Sequence, residues 1–274
     1  MSLNDSFLAL IFGIIQGITE FLPISSTGHL VVFHKFLPSD LLDNLTFDVF
    51  LHAGTLLALI IYFYREIFAL IKGFFKSFYQ LNLRADLAQR LSWFIIIASL
   101  PAALAGYFLN DFIENQLRDV IFVIFSLIIV GIIFIIVERN IKALRNIEAL
   151  NLGDSIAIGL AQVIAFIPGV SRSGITIITG MGKKLTREAA ARFAFLLAIP
   201  AILGATIKQI AEFGINNLFS ELGTVYLVGF AAAGITGFLT IKFLLKFLKN
   251  HSLIGFAIYR FILAIILIFI FYLI

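Results

Sequence analysis

From Val120 to Val137 the chain runs through eighteen residues without a single charge. As a helix that stretch is about 27 Å long, close to the roughly 30 Å hydrocarbon core of a bilayer. Comparable apolar segments lie near 47–64, 91–110, 189–211, 222–244 and 254–274. One water-soluble core cannot hide this much apolar surface. Hydrophobic residues make up 61% of the 274, including 31 Phe, and charged residues only 13%, against about 25% charged in a soluble domain. Soluble globular, disordered and collagen-like chains are excluded, and an all-α integral membrane protein is expected. With no cysteine there are no disulfides, thiolate metal sites or cysteine nucleophile. The net charge of +4 reads as membrane topology, not as affinity for nucleic acid.

Two further segments are too interrupted to be plain spans. Residues 5–22 carry Gln16 and Glu20 and run into Pro23, and the apolar piece from Leu30 to Leu37 is too short to cross. Residues 153–167, a break at Pro168–Gly174 and a short piece to Met181 repeat this pattern. Sliding the chain on itself by 146 residues places Gly13 on Gly159, Gln16 on Gln162, Ser25 on Ser171, Thr27 on Ser173 and Gly28 on Gly174. The shift also superposes the two breaks and two sets of three spans. The expected architecture is one membrane domain over 1–274. It has about six full transmembrane helices, two re-entrant helix–loop–helix hairpins, and internal repeats at roughly 1–140 and 147–274.

Charge distribution orients these elements. Arg65, Lys72, Lys76, Arg84 and Arg90 follow the first full span; Arg139, Lys142 and Arg145, then Lys183, Lys184 and Arg187, then Lys242, Lys246 and Lys249 mark three more basic connections. All four belong on the cytoplasmic side. The Pro38–Asp43, Asn110–Asp119 and Asn216–Gly223 connections belong outside. Three full spans per half is an odd number, so the halves insert in opposite senses. The hairpin tips then meet inside the bilayer, where irregular backbone is tolerated only against protein or a water-filled cavity.

The breaks carry the chemistry. Gln16 and Glu20 are four residues apart and face the same way on a helix. They form either a half-site for Mg²⁺ or Ca²⁺ or an interhelical hydrogen bond. An ionisable group such as Glu20 within a membrane segment points to function. The run Ser25, Ser26, Thr27, Gly28 offers hydroxyls and backbone N–H groups to an anion at a helix N-terminus, or an ordinary cap, and is followed by His29. In the second break Arg172 lies between Ser171 and Ser173, ahead of Gly174 and Thr176. A guanidinium in such surroundings needs a partner: a phosphate, or a fixed ion pair with Glu20. His52 is expected either behind the site's residues or, with slight preference, as a packed helix–helix contact, and Lys208–Glu212 as an interfacial pair.

These two stretches closely resemble the undecaprenyl-pyrophosphate phosphatase family of the bacitracin-resistance type. That family's (Glu/Gln)-x-x-x-Glu and Pro-x-Ser-Ser-Thr-Gly-His pattern is matched by Gln16, Glu20, Pro23, Ser25, Ser26, Thr27, Gly28 and His29. Its Pro-Gly-x-Ser-Arg-Ser-Gly pattern is matched by Pro168, Gly169, Ser171, Arg172, Ser173 and Gly174. Gln16 stands where many members have Glu, so Glu20 is the only carboxylate of the motif. The resemblance implies hydrolysis of a polyprenyl diphosphate lipid to its monophosphate in the bacterial plasma (inner) membrane. It also implies a divalent metal, Mg²⁺ or Ca²⁺, and a site open to the extracytoplasmic side. Glu20, Ser26, His29 and Arg172 are the expected catalytic residues, with Ser26 or an activated water as nucleophile and His29 moving its proton. Ser25, Thr27, Gly28, Ser171, Ser173, Gly174 and Thr176 are the expected substrate-binding residues, and Gln16 and Glu20 the metal ligands. Besides the lipid substrate and membrane lipids, a homodimer is the remaining expected partner. An inverted-repeat transporter or lipid flippase for an anionic substrate is the rival reading.

Overall fold

A computed structural model describes residues 3–37, 42, 45–108, 119–142, 144–213 and 221–272. The protein is all-α among these residues. Its helices are α1 (Leu3–Phe21), α2 (Ser26–Phe36), α3 (Leu45–Tyr62), α4 (Tyr64–Ser77), α5 (Leu87–Phe108), α6 (Val120–Asn140), α7 (Leu152–Ile164), α8 (Arg172–Gly182), α9 (Arg187–Phe213), α10 (Glu221–Leu248) and α11 (Ile254–Tyr272). Five of these, α5, α6, α9, α10 and α11, are long and apolar enough to cross a membrane. Helices α3 and α4 are long and apolar enough for a sixth crossing only when taken together, and they bend by 80° at their break. The bend corrects one expectation. Residues 64–77 form a helix, not a basic loop.

Much of the three connections expected outside lies beyond the described residues, as does the Glu212 side chain. The four basic connections, by contrast, converge on one end of the bundle. Arg192 of α9 pairs with Glu66 of α4 at 2.5 Å, and Arg187 with Glu138 at the end of α6. The Arg90 guanidinium donates to the Glu148 carbonyl, and the Arg145 and Thr186 backbones bridge the α6–α7 and α8–α9 connections. Lys249 reaches Glu188 at 3.5 Å.

The hairpins enter from opposite ends. The second starts at this basic end, where Asp154 of α7 pairs with Arg145, and returns there at Lys183. The first has its outer ends among the starts of α3 and α10, in a cluster of Leu8, Phe12, Phe47, Val225 and Tyr226. Close helix approach holds both. A Cβ on Gly13 would lie 2.4 Å from the Gly229 oxygen of α10, and one on Gly159 2.3 Å from the Ala98 oxygen of α5. The residues superposed by the 146-residue shift thus do the same job, seating α1 on α10 and α7 on α5.

Candidate active site

Both hairpins turn on a serine held at positive φ, Ser25 at 75° and Ser171 at 72°. Backbone there costs a non-glycine residue about 1–3 kcal/mol. Part of that is recovered locally, since each serine caps the helix it precedes. Ser25 Oγ accepts from the Gly28 amide and Ser171 Oγ from the Gly174 amide, both at 3.2 Å. Each Oγ also lies 3.2 Å from the next hydroxyl but one, Thr27 or Ser173. Capping leaves the first-turn amides of Ser26, Thr27, Arg172 and Ser173 without an acceptor among the described residues. They point where the two helices begin.

The turns touch each other. Thr27 Oγ1 accepts from the Gly169 amide at 3.5 Å, and Ser173 Oγ donates to the Leu22 carbonyl at 3.3 Å. Gly169 itself needs its glycine: φ is 89°, and a Cβ would meet the Val123 oxygen at 2.6 Å.

Glu20, on the last turn of α1 and almost wholly buried, is the junction. Its Oε2 accepts from Gln16 Nε2 and from Ser26 Oγ, both at 2.9 Å. Its Oε1 takes the Arg172 guanidinium. The carboxylate therefore binds the first residue of α2 and the first residue of α8 at once. Arg172 and His52 keep 22% and 27% of their side-chain surface exposed, and Thr27 is exposed, so the junction has a mouth.

His52 of α3 is not a plain packing contact. Its Nδ1 accepts from Gln16 Nε2 at 2.8 Å and lies 3.3 Å from Glu20 Oε2. That uses both Gln16 amide hydrogens and leaves Gln16 Oε1 buried with no hydrogen-bond partner among the described residues. An orphaned buried oxygen beside a carboxylate fits Mg²⁺ or Ca²⁺, whose remaining positions would fall to phosphate oxygens and water. Among the described residues no three His, Asp or Glu side chains gather into a self-sufficient cage. The fit is to a half-site that substrate completes.

Other sequence expectations are corrected. His29 does not face Ser26. Its Nδ1–H donates to the Ser25 carbonyl at 2.7 Å, which leaves Nε2 to accept from the Tyr259 hydroxyl at 2.8 Å, the rings stacked within 10°. The group on Ser26 is Glu20. Thr176 is sealed in and spends its hydroxyl on the Arg172 carbonyl at 2.7 Å, so it supports α8 instead of binding substrate. Ser25 and Ser171 are likewise spent as caps, with Gly28 and Gly174 as their donors. Gly174 has a second reason to lack a side chain, since a Cβ there would sit 2.9 Å from the Phe134 ring.

Arg260 escaped the sequence reading. It is fully buried on α11, with no carboxylate partner among the described residues. Its guanidinium donates to four carbonyls: Gly169 at 2.9 Å, Ser126 at 3.1 Å, Leu127 at 3.2 Å and Pro23 at 3.4 Å. One side chain thus ties both turns to α6. The signal was available, since a charge within an apolar span was the very criterion that singled out Arg172.

Residues 9–266 match the model of the bacitracin resistance protein BacA. The chain belongs to the BacA family. The BacA match takes in both turns and every residue of the junction, from Gln16 to Arg260. Relatives named undecaprenyl-diphosphatase agree over nearly full length. The protein of Rubrobacter xylanophilus is 40% identical over 93% of this chain and 94% of its own. That of Thermomicrobium roseum is 41% identical over 94% and 95%. That of Thermodesulfovibrio yellowstonii is 41% identical over 97% of each.

Proposed function

We propose that this protein is a membrane phosphatase that hydrolyses undecaprenyl diphosphate to undecaprenyl phosphate and inorganic phosphate. The reaction recycles the lipid carrier for peptidoglycan synthesis and thereby confers bacitracin resistance. One observation carries the reading: a serine hydroxyl and a guanidinium from different halves share a single carboxylate. Membership of the BacA family and the names of its relatives agree with it.

Arg172 leaves Glu20 for the diphosphate, where its planar fork pairs with two oxygens. The unpaired amides of Ser26, Thr27, Arg172 and Ser173 complete an anion cradle at two helix N-termini. Freed of Arg172, the Glu20 carboxylate takes the Ser26 proton. Ser26 Oγ bonds to the terminal phosphorus as the bond to the bridging oxygen breaks, releasing the lipid monophosphate. Water next displaces phosphate from Ser26, and the proton held by Glu20 returns to the serine oxygen. His29, fixed by Ser25 and Tyr259, holds the start of α2 in register. A divalent metal bound by Gln16 Oε1, Glu20 and the diphosphate would supply charge neutralisation at the phosphoryl oxygens.

The halves roughly 1–140 and 147–274 read as inverted repeats, supported by the matching caps and by the hairpins' entry from opposite ends. The basic end lies in the cytoplasm by the positive-inside rule, so the first hairpin enters from the extracytoplasmic side of the inner membrane and the site opens there. Gln16, Glu20, Ser26 and Arg172 all come from one chain, so a homodimer is not required for the chemistry.

Phosphate release from undecaprenyl diphosphate by purified protein, with and without EDTA, tests the proposal. Release that disappears on chelation is expected. Binding without release would favour a transporter or flippase instead.

A further inference from the structure

Helix α4 leaves α3 at 80° and so lies across the bundle end instead of along it. At about 100° per residue the helix and the two residues flanking it, Phe63 and Phe78, present three sectors. Phe63, Ile67, Leu70, Gly73, Phe74 and Ser77 face the protein. Gly73 sits so close to α5 that a Cβ would meet the Gln89 amide at 2.8 Å, and Ser77 Oγ accepts from the Trp93 indole at 3.0 Å. About 120° round the helix, Tyr64, Phe68, Ile71, Phe75 and Phe78 form a continuous exposed stripe, each more than half exposed. About 110° further on, Arg65, Lys72 and Lys76 form an exposed basic stripe. Lys76 is partly committed to Asp86 at 3.1 Å, whereas Lys72 makes no ion pair among the described residues.

Water is the wrong solvent for five large apolar side chains in a row, and the transmembrane interior is excluded by the basic row beside them. We propose that α4 is an interfacial helix that binds anionic phospholipid headgroups. Its aromatic stripe rests at the headgroup–acyl boundary, continuous with the lipid-facing spans, and Arg65 and Lys72 engage lipid phosphates. The pattern meets the requirements for a helix lying in the membrane plane: a strongly apolar face, a cationic face and fixed orientation. The orientation comes from the third sector, which bolts α4 to α5.

The protein supplies its own reporter. Trp93 is the only tryptophan and packs against Phe74 and Phe78 of α4 with ring centroids at 5.2 and 6.3 Å. Full-length protein is reconstituted in phosphatidylcholine vesicles with increasing brominated phosphatidylglycerol, or with brominated phosphatidylcholine as the neutral control. Trp93 quenching should reach its midpoint at several-fold lower mole fraction for the anionic lipid. Each of Arg65→Gln and Lys72→Gln should remove part of that difference, as should high salt, and the double substitution should abolish it. Equal quenching by both lipids, or a difference that survives the double substitution, overturns the proposal.

Because the chain has no cysteine, nitroxide labels at Phe68→Cys and Lys72→Cys give a second measurement. The label at 68 should be relaxed by oxygen and the label at 72 by an aqueous nickel chelate. Aqueous accessibility at both sites refutes the interfacial placement. Neither measurement involves turnover, so the result is independent of the phosphatase assignment.

Discussion

Ser26 and Arg172 lie 146 residues apart, each the first residue of its broken helix, and they bind opposite oxygens of the same carboxylate. Ser26 Oγ donates to Glu20 Oε2 and the Arg172 guanidinium to Glu20 Oε1. The two matching turns thus bring a hydroxyl to one carboxylate oxygen and a cation to the other. Neither turn brings both.

If Arg172 changes partner during turnover, its shape matters as well as its charge. Arg172→Lys keeps the charge but loses the fork, and Arg172→Ala loses both. Both should fall in kcat/KM, Arg172→Ala by about 10²–10³ as for loss of one preorganised charge-stabilising donor. Steady-state phosphate release measures this, and wild-type activity in Arg172→Ala would remove Arg172 from the site.

A covalent route leaves a trace. Rapid acid quench of labelled diphosphate with wild-type protein should trap phosphoserine at Ser26. Ser26→Ala should trap none. Glu20→Gln should slow its formation, because the amide cannot take the proton. Label-free wild-type protein that still turns over would assign the attack to water.

Gln16 and His52 act on one amide: His52 holds the nitrogen and so directs the oxygen. Gln16→Ala and His52→Ala should each raise the Mg²⁺ concentration for half-maximal activity by about ten- to a hundredfold, the usual effect of losing a ligand's support. Titration of EDTA-stripped protein reads this directly. An unchanged midpoint in both variants would place the metal elsewhere.

Arg260 should govern stability. Arg260→Met strands the Pro23 and Gly169 carbonyls in apolar surroundings, at about 1–3 kcal/mol each, while the Ser126 and Leu127 carbonyls keep their helical N–H donors. A lower Tm in detergent is expected, with Arg260→Lys intermediate because one ammonium reaches fewer carbonyls. Equal Tm values for Arg260→Met and wild type would contradict the clamp.

Asp86, just ahead of α5, accepts from the Gln89 amide and from Lys76, which together hold its carboxyl below the usual value. A depressed native value means a contribution present above the unfolded pKa and lost as pH falls through the folded one. The Tm gap between wild type and Asp86→Asn should therefore narrow as pH is lowered from 7 to 3. A constant gap would show that the charge of Asp86 is immaterial.

The span pattern and both breaks were legible because lipid imposes length and composition on any crossing segment. Gln16, Glu20, Ser26 and Arg172 were legible for the related reason that polar groups are costly there. What the sequence concealed was partnership. Three hydroxyls in a row do not reveal that Ser25 is a cap while Ser26 binds Glu20, and spacing alone aimed His29 at Ser26 when its ring stacks on Tyr259, 230 residues away. Helix α4 was hidden by its own basic residues, which satisfy the topology rule while obscuring the Tyr64, Phe68, Ile71, Phe75 periodicity.

Arg260 belongs to the final helix, yet the turns it fastens lie near the beginning and the middle of the chain. Without that helix the two turns keep their direct contacts but lose the one side chain that fastens both of them to α6. A chain truncated ahead of α11 would therefore loosen both turns at once, although neither belongs to the segment removed.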